Sequence, residues 1–279
     1  MSDGSDRNVT DQLSTVCGEA EVARLRRLQL FNRFLAASSA ALLEAAGVVA
    51  GSHVIDLGCG EGAMSLVLAK RVGSHGRVYA VDHDAAKLDV LAASAAQAGL
   101  SNIVAVAADV ESALAQLELA DFVYARFLLL HLPAPRNVLA GMRRIIGRDG
   151  KRGKILLEEP VLAATGEYPN SGLWCKPIAL YERYCELIGI RPNYGQSLIA
   201  DLKIAGLALQ SAVQTTAVLD PAIAREYIEC SLLAQRRQYI EYGLLSPLQY
   251  AALLDEVRHH DLTSIEYCRF HGVMQIICS

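Results

Sequence analysis

The sequence predicts an α/β protein with a mostly parallel sheet, and three observations carry that expectation. Short apolar runs alternate with segments whose apolar positions recur at helical spacing, which is the rhythm of successive βαβ units. The first run, Val54-Ile55-Asp56-Leu57, leads straight into a turn of alternate glycines, Gly58-Cys59-Gly60-Glu61-Gly62. The next two runs each end in an acid, Asp82 and Asp109, and a fourth begins at Asp121, so that several strand ends would face one crevice.

The elements follow in order. Residues 1–18 are polar and mixed in charge, lack the apolar stretch of a signal peptide, and are expected to be loose. Residues 19–47 read as one or two helices ending at Gly47, a helical cap. The alanine-rich part from Phe34 to Gly51 is interrupted by Ser38, Ser39 and Glu44, so it reads as packed helix rather than membrane span. A core is expected over 48–160, with strands near 53–57, 77–82, 103–108, 120–125 and 153–159 and helices near 62–73, 84–98, 111–117 and 135–147. After Pro160 tyrosines and prolines become frequent, and 161–206 reads as a lid insertion. Residues 207–279 should supply strands near 209–219 and 270–277, separated by helices around 221–241 and 247–259.

Composition narrows the class of function. A net charge of −4 leaves no basic face for nucleic acid, and no segment is a credible membrane span. The seven cysteines form no C-x-x-C pair, so a disulfide framework and a zinc ribbon are both disfavoured and the thiols are expected to be reduced. No clustered His/Asp set suggests a metal, and none is expected. A cytoplasmic protein acting on a small molecule fits these observations, and a homodimer through the apolar cap helices fits their content.

The glycine turn removes each Cβ where the chain bends, so a ligand can approach the backbone closely. Gly58, Gly60 and Ala63 also satisfy the looser dinucleotide pattern, and a carboxylate at Asp82 can take both hydroxyls of a ribose, so these residues alone leave the nucleotide open. The run through Asp56-Leu57-Gly58-Cys59-Gly60, Asp82 and Asp109, followed by Tyr124-Ala125-Arg126-Phe127-Leu128-Leu129-Leu130-His131, resembles the class I S-adenosylmethionine-dependent methyltransferases, in particular their bacterial small-molecule branch. The likeness covers about residues 24–160.

That resemblance implies a Rossmann-like sheet with an antiparallel edge strand, a helical cap or lid, and S-adenosyl-L-methionine as cofactor. It places Gly58, Cys59 and Gly60 under the methionine portion with Asp56 beside it, Asp82 at the ribose and Asp109 at the adenine amino group. It also implies that His83 and Val110 pack the adenine faces and that Arg126 contributes at the methionine end. A strand-end acid such as Asp109 could equally cap the helix that follows it.

Methyl transfer from a sulfonium asks the protein mainly for alignment in a dry pocket, and for a base only when the acceptor must lose a proton. His131, just past the fourth strand, is the leading base candidate, followed by Glu158 and Glu159 at the end of the fifth. Two adjacent acids in a strand point to opposite faces, so at most one of them could enter a pocket. Nine of the eleven tyrosines lie at or beyond Tyr168; Tyr168, Trp174, Tyr181 and Tyr184 are the candidates to hold a flat or apolar acceptor, although each could instead pack the lid. The expected activity is methyl transfer to O, N or C of such a metabolite. The alternatives are a protein that binds the cofactor as a sensor or scaffold, an enzyme using the cofactor without methylating, and a nicotinamide-dependent oxidoreductase, which leaves Asp109 unexplained.

Overall fold

The structure, a computed structural model, describes residues 18–147 and 153–279; the expected loose N-terminus, and Cys17 within it, lie outside the described residues apart from Gly18. The first half runs α1 (Glu19–Ala46), β1 (His53–Leu57), α2 (Ala63–Val72), β2 (Arg77–Asp82), α3 (Ala85–Gln97), β3 (Ile103–Ala107), α4 (Val110–Gln116), β4 (Phe122–Arg126) and α5 (Pro135–Ile145). The second half continues with β5 (Lys154–Val161), β6 (Gly166–Tyr168), α6 (Cys175–Ile188), α7 (Leu198–Ile204), β7 (Leu209–Leu219), α8 (Pro221–Ala234), α9 (Arg236–Glu241), α10 (Pro247–Arg258) and β8 (Tyr267–Cys278). The segment read as one or two helices is thus a single one, since no glycine or proline interrupts it before Gly47, whose φ of 83° ends it. The helix expected over 221–241 is two, α8 and α9, meeting at Gln235.

The chain divides into two compact units. The larger comprises residues 37–163, 190–215 and 272–279; the smaller comprises the described residues up to Ala36 with 164–189 and 216–271.

In the larger unit the strands lie in the order β3-β2-β1-β4-β5-β8. All neighbours from β3 to β5 are parallel, while residues 272–278 of β8 run antiparallel to β5. β7 pairs with β8, and Ala208 and Ser279 exchange both backbone hydrogen bonds, as an antiparallel pair does. The mostly parallel sheet with an antiparallel edge is therefore present.

Alternation along the strands builds two cores, because successive side chains point to opposite faces. On one face Ile55, Val123 and Leu157 meet Leu114 of α4, Leu139 and Met142 of α5, and Leu202 of α7. On the other, Val54, Tyr124 and Leu156 meet Leu43 of α1 and Leu68 and Val72 of α2. A sheet covered on both faces explains why its strands read as continuous apolar runs rather than alternating ones.

Two acids break that run. Glu158 and Glu159 at the end of β5 are both wholly buried and, as their adjacency requires, face opposite ways. Glu158 accepts from Tyr124, from Ser39 Oγ at 3.0 Å and from Gln275 Nε2 at 2.8 Å. Glu159 accepts from three consecutive backbone amides, those of Leu128, Leu129 and Leu130, at 3.1, 2.7 and 3.3 Å. The carbonyls of the same turn are taken by Arg191, whose Nη2 donates to the oxygens of Leu129 and Leu132 at 3.1 and 2.7 Å.

The smaller unit is mainly helical, with β6 paired to residues 267–269 of β8. Its helices carry clear start signals: Asp220 caps α8 ahead of Pro221, and Ser246 with Gln249 forms a capping box on α10. The interior is aromatic. The ring of Phe270 lies 5.8 Å from Phe31 and 4.9 Å from both Phe34 and Tyr227, edge to face.

Replacing Glu159 with Ala leaves three buried amides without their acceptor. The expected loss is about 3 kcal/mol of unfolding free energy, read by denaturant titration, and a loss within experimental error would show that the turn does not depend on this carboxylate.

Candidate functional site

The site begins where β1 stops. Cys59 N donates to the carbonyl of Val81 at 2.9 Å, continuing the parallel ladder with β2 one step beyond the strand and aiming the glycine turn over the strand ends. Gly58, Gly60 and Gly62 all take positive φ, 66°, 56° and 83°, a region that side-chain-bearing residues seldom adopt. The three differ in what a side chain would meet. A Cβ on Gly58 would lie 2.7 Å from Leu128 Cδ1, and one on Gly62 would lie 2.2 Å from Leu91 Cδ1, whereas one on Gly60 would point into open space. The backbone at Gly60 is thus bare and accessible, the property a bound cofactor needs.

Asp82 closes this side of the turn. It is buried, and its Oδ2 accepts from Gly60 N at 2.9 Å while Oδ1 accepts from Asp84 N at 3.0 Å, with His83 Nδ1 3.4 Å away and the imidazole exposed. One carboxylate thereby ties the turns after β1 and β2 together. Asp56 lies beneath, buried, accepting from Ser65 Oγ at 2.6 Å; burial first of all, partly offset by Ser65 and Arg126, pushes its pKa up to about 6. The Cys59 thiol is held far above its ordinary range by burial and then by the charges of Asp56 and Asp82, so it is no nucleophile at neutral pH.

Asp109 is exposed and caps α4, its Oδ1 accepting from Ser112 N at 2.9 Å, with Val110 opening the helix. Its geometry is accounted for by capping, the alternative the sequence left open. Arg126 ends β4 and lies close enough to Asp56 to favour its ionised form. His131 ends the short 3-10 turn Leu129–His131 and is exposed; desolvation, and then the charge of Lys87, lower its pKa below the usual histidine value. It is neutral at pH 7 and able to accept a proton.

One expectation requires correction. Glu159 was a candidate to orient or deprotonate substrate, but it is wholly buried and both its oxygens serve the 128–130 amides, so it holds the turn that carries His131 rather than meeting a ligand. Burial raises its pKa to about 8 against the pull of those amides and of Arg191. No local pattern pointed to Arg191 or Ser65, whose partners are 59 to 62 and 9 residues away.

The four aromatic candidates all lie in the smaller unit. Tyr168 is exposed and stacks on Tyr267 at 5.7 Å. Trp174 is buried, 6.5 Å from Tyr227. Tyr184 meets Tyr239 and Tyr242 edge to face at 5.6 and 5.7 Å, and Tyr181 lies against the Cys185 thiol. Among the described residues there is no group of three or more His, Cys, Asp or Glu side chains that could hold a metal ion, and no helix long and apolar enough to cross a membrane.

A parallel sheet ordered 3-2-1-4-5 with a bare glycine turn after β1 and an acid closing β2 defines a nucleotide-cofactor domain of the Rossmann-like kind. Residues 49–182 match the family described as a methyltransferase domain. The aklanonic acid methyltransferase DauC of Streptomyces sp. (strain C5) is 30% identical over 128 residues, which is 46% of this chain and 56% of that protein, so the match spans little more than half of that relative. Among solved structures, a protein of Bacillus halodurans C-125 assigned as a methyltransferase superposes with a TM-score of 0.55 at 17% identity, over 86% of this chain and 96% of that one. Geranyl diphosphate C-methyltransferase of Streptomyces coelicolor A3(2) gives 0.54 at 11% identity, over 87% and 75%. The likeness to methyltransferase domains thus rests on residues 49–182, a little under half of the chain, and on a shared Rossmann-like fold.

The contrast between two glycines can be measured. Gly62→Ala adds a clash with Leu91 to the strain of positive φ and should destabilise the protein by about 3 kcal/mol. Gly60→Ala should cost only about 1 kcal/mol, from φ alone, yet abolish cofactor binding. Thermal unfolding and S-adenosylmethionine titration of both variants check this, and equal destabilisation would contradict it.

Proposed function

We propose that this protein transfers the methyl group of S-adenosylmethionine to a small, aromatic or otherwise apolar metabolite. The observation that carries the reading is the open space above Gly60, bounded by the Asp82 carboxylate at the end of β2. Asp82 would take the ribose hydroxyls, as its place at the end of β2 suits. Gly58, Cys59 and Gly60 would underlie the methionine portion, with Asp56 and Arg126 beside it. Asp109 has one oxygen engaged in capping and would offer the other to the adenine amino group, between His83 and Val110. When bound, the cofactor supplies an activated sulfonium methyl, so the chain's own tasks are orientation, exclusion of water and management of the acceptor's proton.

His131 would accept that proton. Its lowered pKa keeps the ring neutral through physiological pH, and the Glu159–Arg191 clamp fixes the turn that bears it. The acceptor class is supported by the relative whose name makes aklanonic acid its substrate, an organic acid rather than a macromolecule. The chain's net charge of −4 supports the same choice, and a cytoplasmic setting without nucleic acid goes with it.

The test is release of S-adenosylhomocysteine from purified protein given S-adenosylmethionine and a panel of aromatic and polyketide-like acids and phenols. Turnover that depends on the acceptor supports the reading; binding of the cofactor without turnover on any acceptor favours the sensor or scaffold. His131→Ala should lower kcat by about 10²-fold, remove the acid limb of the kcat against pH profile, and leave cofactor affinity unchanged. Because the folded pKa is depressed, that limb in the unsubstituted protein should lie below the ordinary histidine value; a limb above it would contradict the assignment.

A further inference from the structure

The smaller unit holds a cation among aromatic rings without an anion to match it. Arg27 on α1 lies beside the hydroxyl of Tyr227 and close to Tyr181, Tyr239 and the imidazole of His271, yet among the described residues no carboxylate forms an ion pair with it. Two acids of α8 are committed elsewhere, Glu226 to Arg26 at 2.6 Å and Glu229 to Arg258 at 2.7 Å. The Nε of Arg27 is buried without a hydrogen-bond partner, and so is Nδ1 of His271. Every buried side-chain nitrogen or oxygen lacking such a partner, among the described residues, belongs to this unit, and none to the larger one.

Unpaired buried polar atoms of this kind are costly, and a guanidinium more so than most, which makes the concentration of them in one unit a pointer to a ligand. The surroundings define its chemistry. The imidazole of His271 lies 6.3 Å from the ring of Phe31 and 6.1 Å from that of Tyr227, with Phe34 and Phe270 completing an apolar wall. Burial and the charge of Arg27 keep that imidazole neutral, so one of its nitrogens can donate without adding a second positive charge.

We propose that Arg27, the imidazole of His271 and the hydroxyl of Tyr227 bind the carboxylate of a small acid whose apolar body rests on the rings of Phe31, Phe34 and Phe270. A planar guanidinium with an idle Nε–H takes a carboxylate in two parallel hydrogen bonds, and a second donor from the histidine fixes its orientation. The proposal concerns the smaller unit alone and stands whether or not the protein transfers methyl groups.

The test is calorimetric titration of the full chain with 1-naphthoate and with its neutral counterpart 1-naphthamide, using the unsubstituted protein, Arg27→Met and Arg27→Lys, with S-adenosylmethionine binding measured alongside. The acid should bind the unsubstituted protein at least tenfold more tightly than the amide. Arg27→Met should erase that preference, leave S-adenosylmethionine affinity unchanged, and unfold at the same or a higher temperature, since an unmatched cation has been removed. Arg27→Lys should keep part of the preference. The proposal is overturned if acid and amide bind the unsubstituted protein equally, if neither binds at millimolar concentration, or if Arg27→Met retains the preference for the acid. A fall in the melting temperature of Arg27→Met together with equal binding of acid and amide would make Arg27 a packing residue. Failure of methyl transfer in the acceptor assay bears on none of these outcomes.

Discussion

The interaction on which the larger unit depends is the grip of one buried side chain on a turn: Glu159 accepts from three consecutive amides, those of residues 128–130, and Arg191 donates to the carbonyls of Leu129 and Leu132. The turn after a parallel strand must cross the edge of the sheet with its polar groups satisfied, and here a carboxylate and a guanidinium do that from outside it. Two consequences follow for the site. Leu128 is held against Gly58, where any side chain on the glycine would collide with it, and His131 is delivered to the strand ends on a fixed backbone. The neighbouring Phe127 has a φ of 53°, a conformation rare outside glycine and one that persists where surrounding contacts enforce it.

On the other side of β1 the same end is reached by a lighter device. Asp82 accepts from the amide of Gly60 and from that of Asp84, so one carboxylate links the turns after β1 and β2. Together these contacts tie down the end of β1, and of the three glycines in its turn Gly60 alone has open space where a side chain would begin. Rigidity there matters because alignment is the protein's main contribution when the cofactor carries the reactive group.

Much of this was legible in the residues. Strand and helix bounds in the core follow from apolar runs and their punctuation; β1, β2 and the strand over 209–219 fall where the sequence places them, and Asp82 and the three glycines occupy the turns their types require. What was not legible depended on distant partners. Nothing local in Glu159 distinguishes a base at a strand end from an anchor for a turn 30 residues away, since its role is set by which face of β5 it takes and by what lies there. The aromatic residues after position 168 were read as a set, but the fold separates an exposed Tyr168 from a buried Trp174, and it adds Phe31 and Phe34 from α1 to the same unit as Tyr227 and Phe270. Nothing local in Arg27 marks it as a residue whose Nε is buried without a partner.

The turn after β1 and the acid after β2 are proposed to form a site for S-adenosylmethionine. Calorimetric titration of the purified protein with S-adenosylmethionine, S-adenosylhomocysteine and NADH, repeated on Asp82→Ala, tests it most directly. Dissociation constants on the order of micromolar are expected for both sulfur compounds, weakened at least about tenfold in the variant by loss of a charge-assisted hydrogen bond, with no binding of NADH. Binding of NADH alone, or binding of the sulfur compounds that Asp82→Ala leaves untouched, would contradict it.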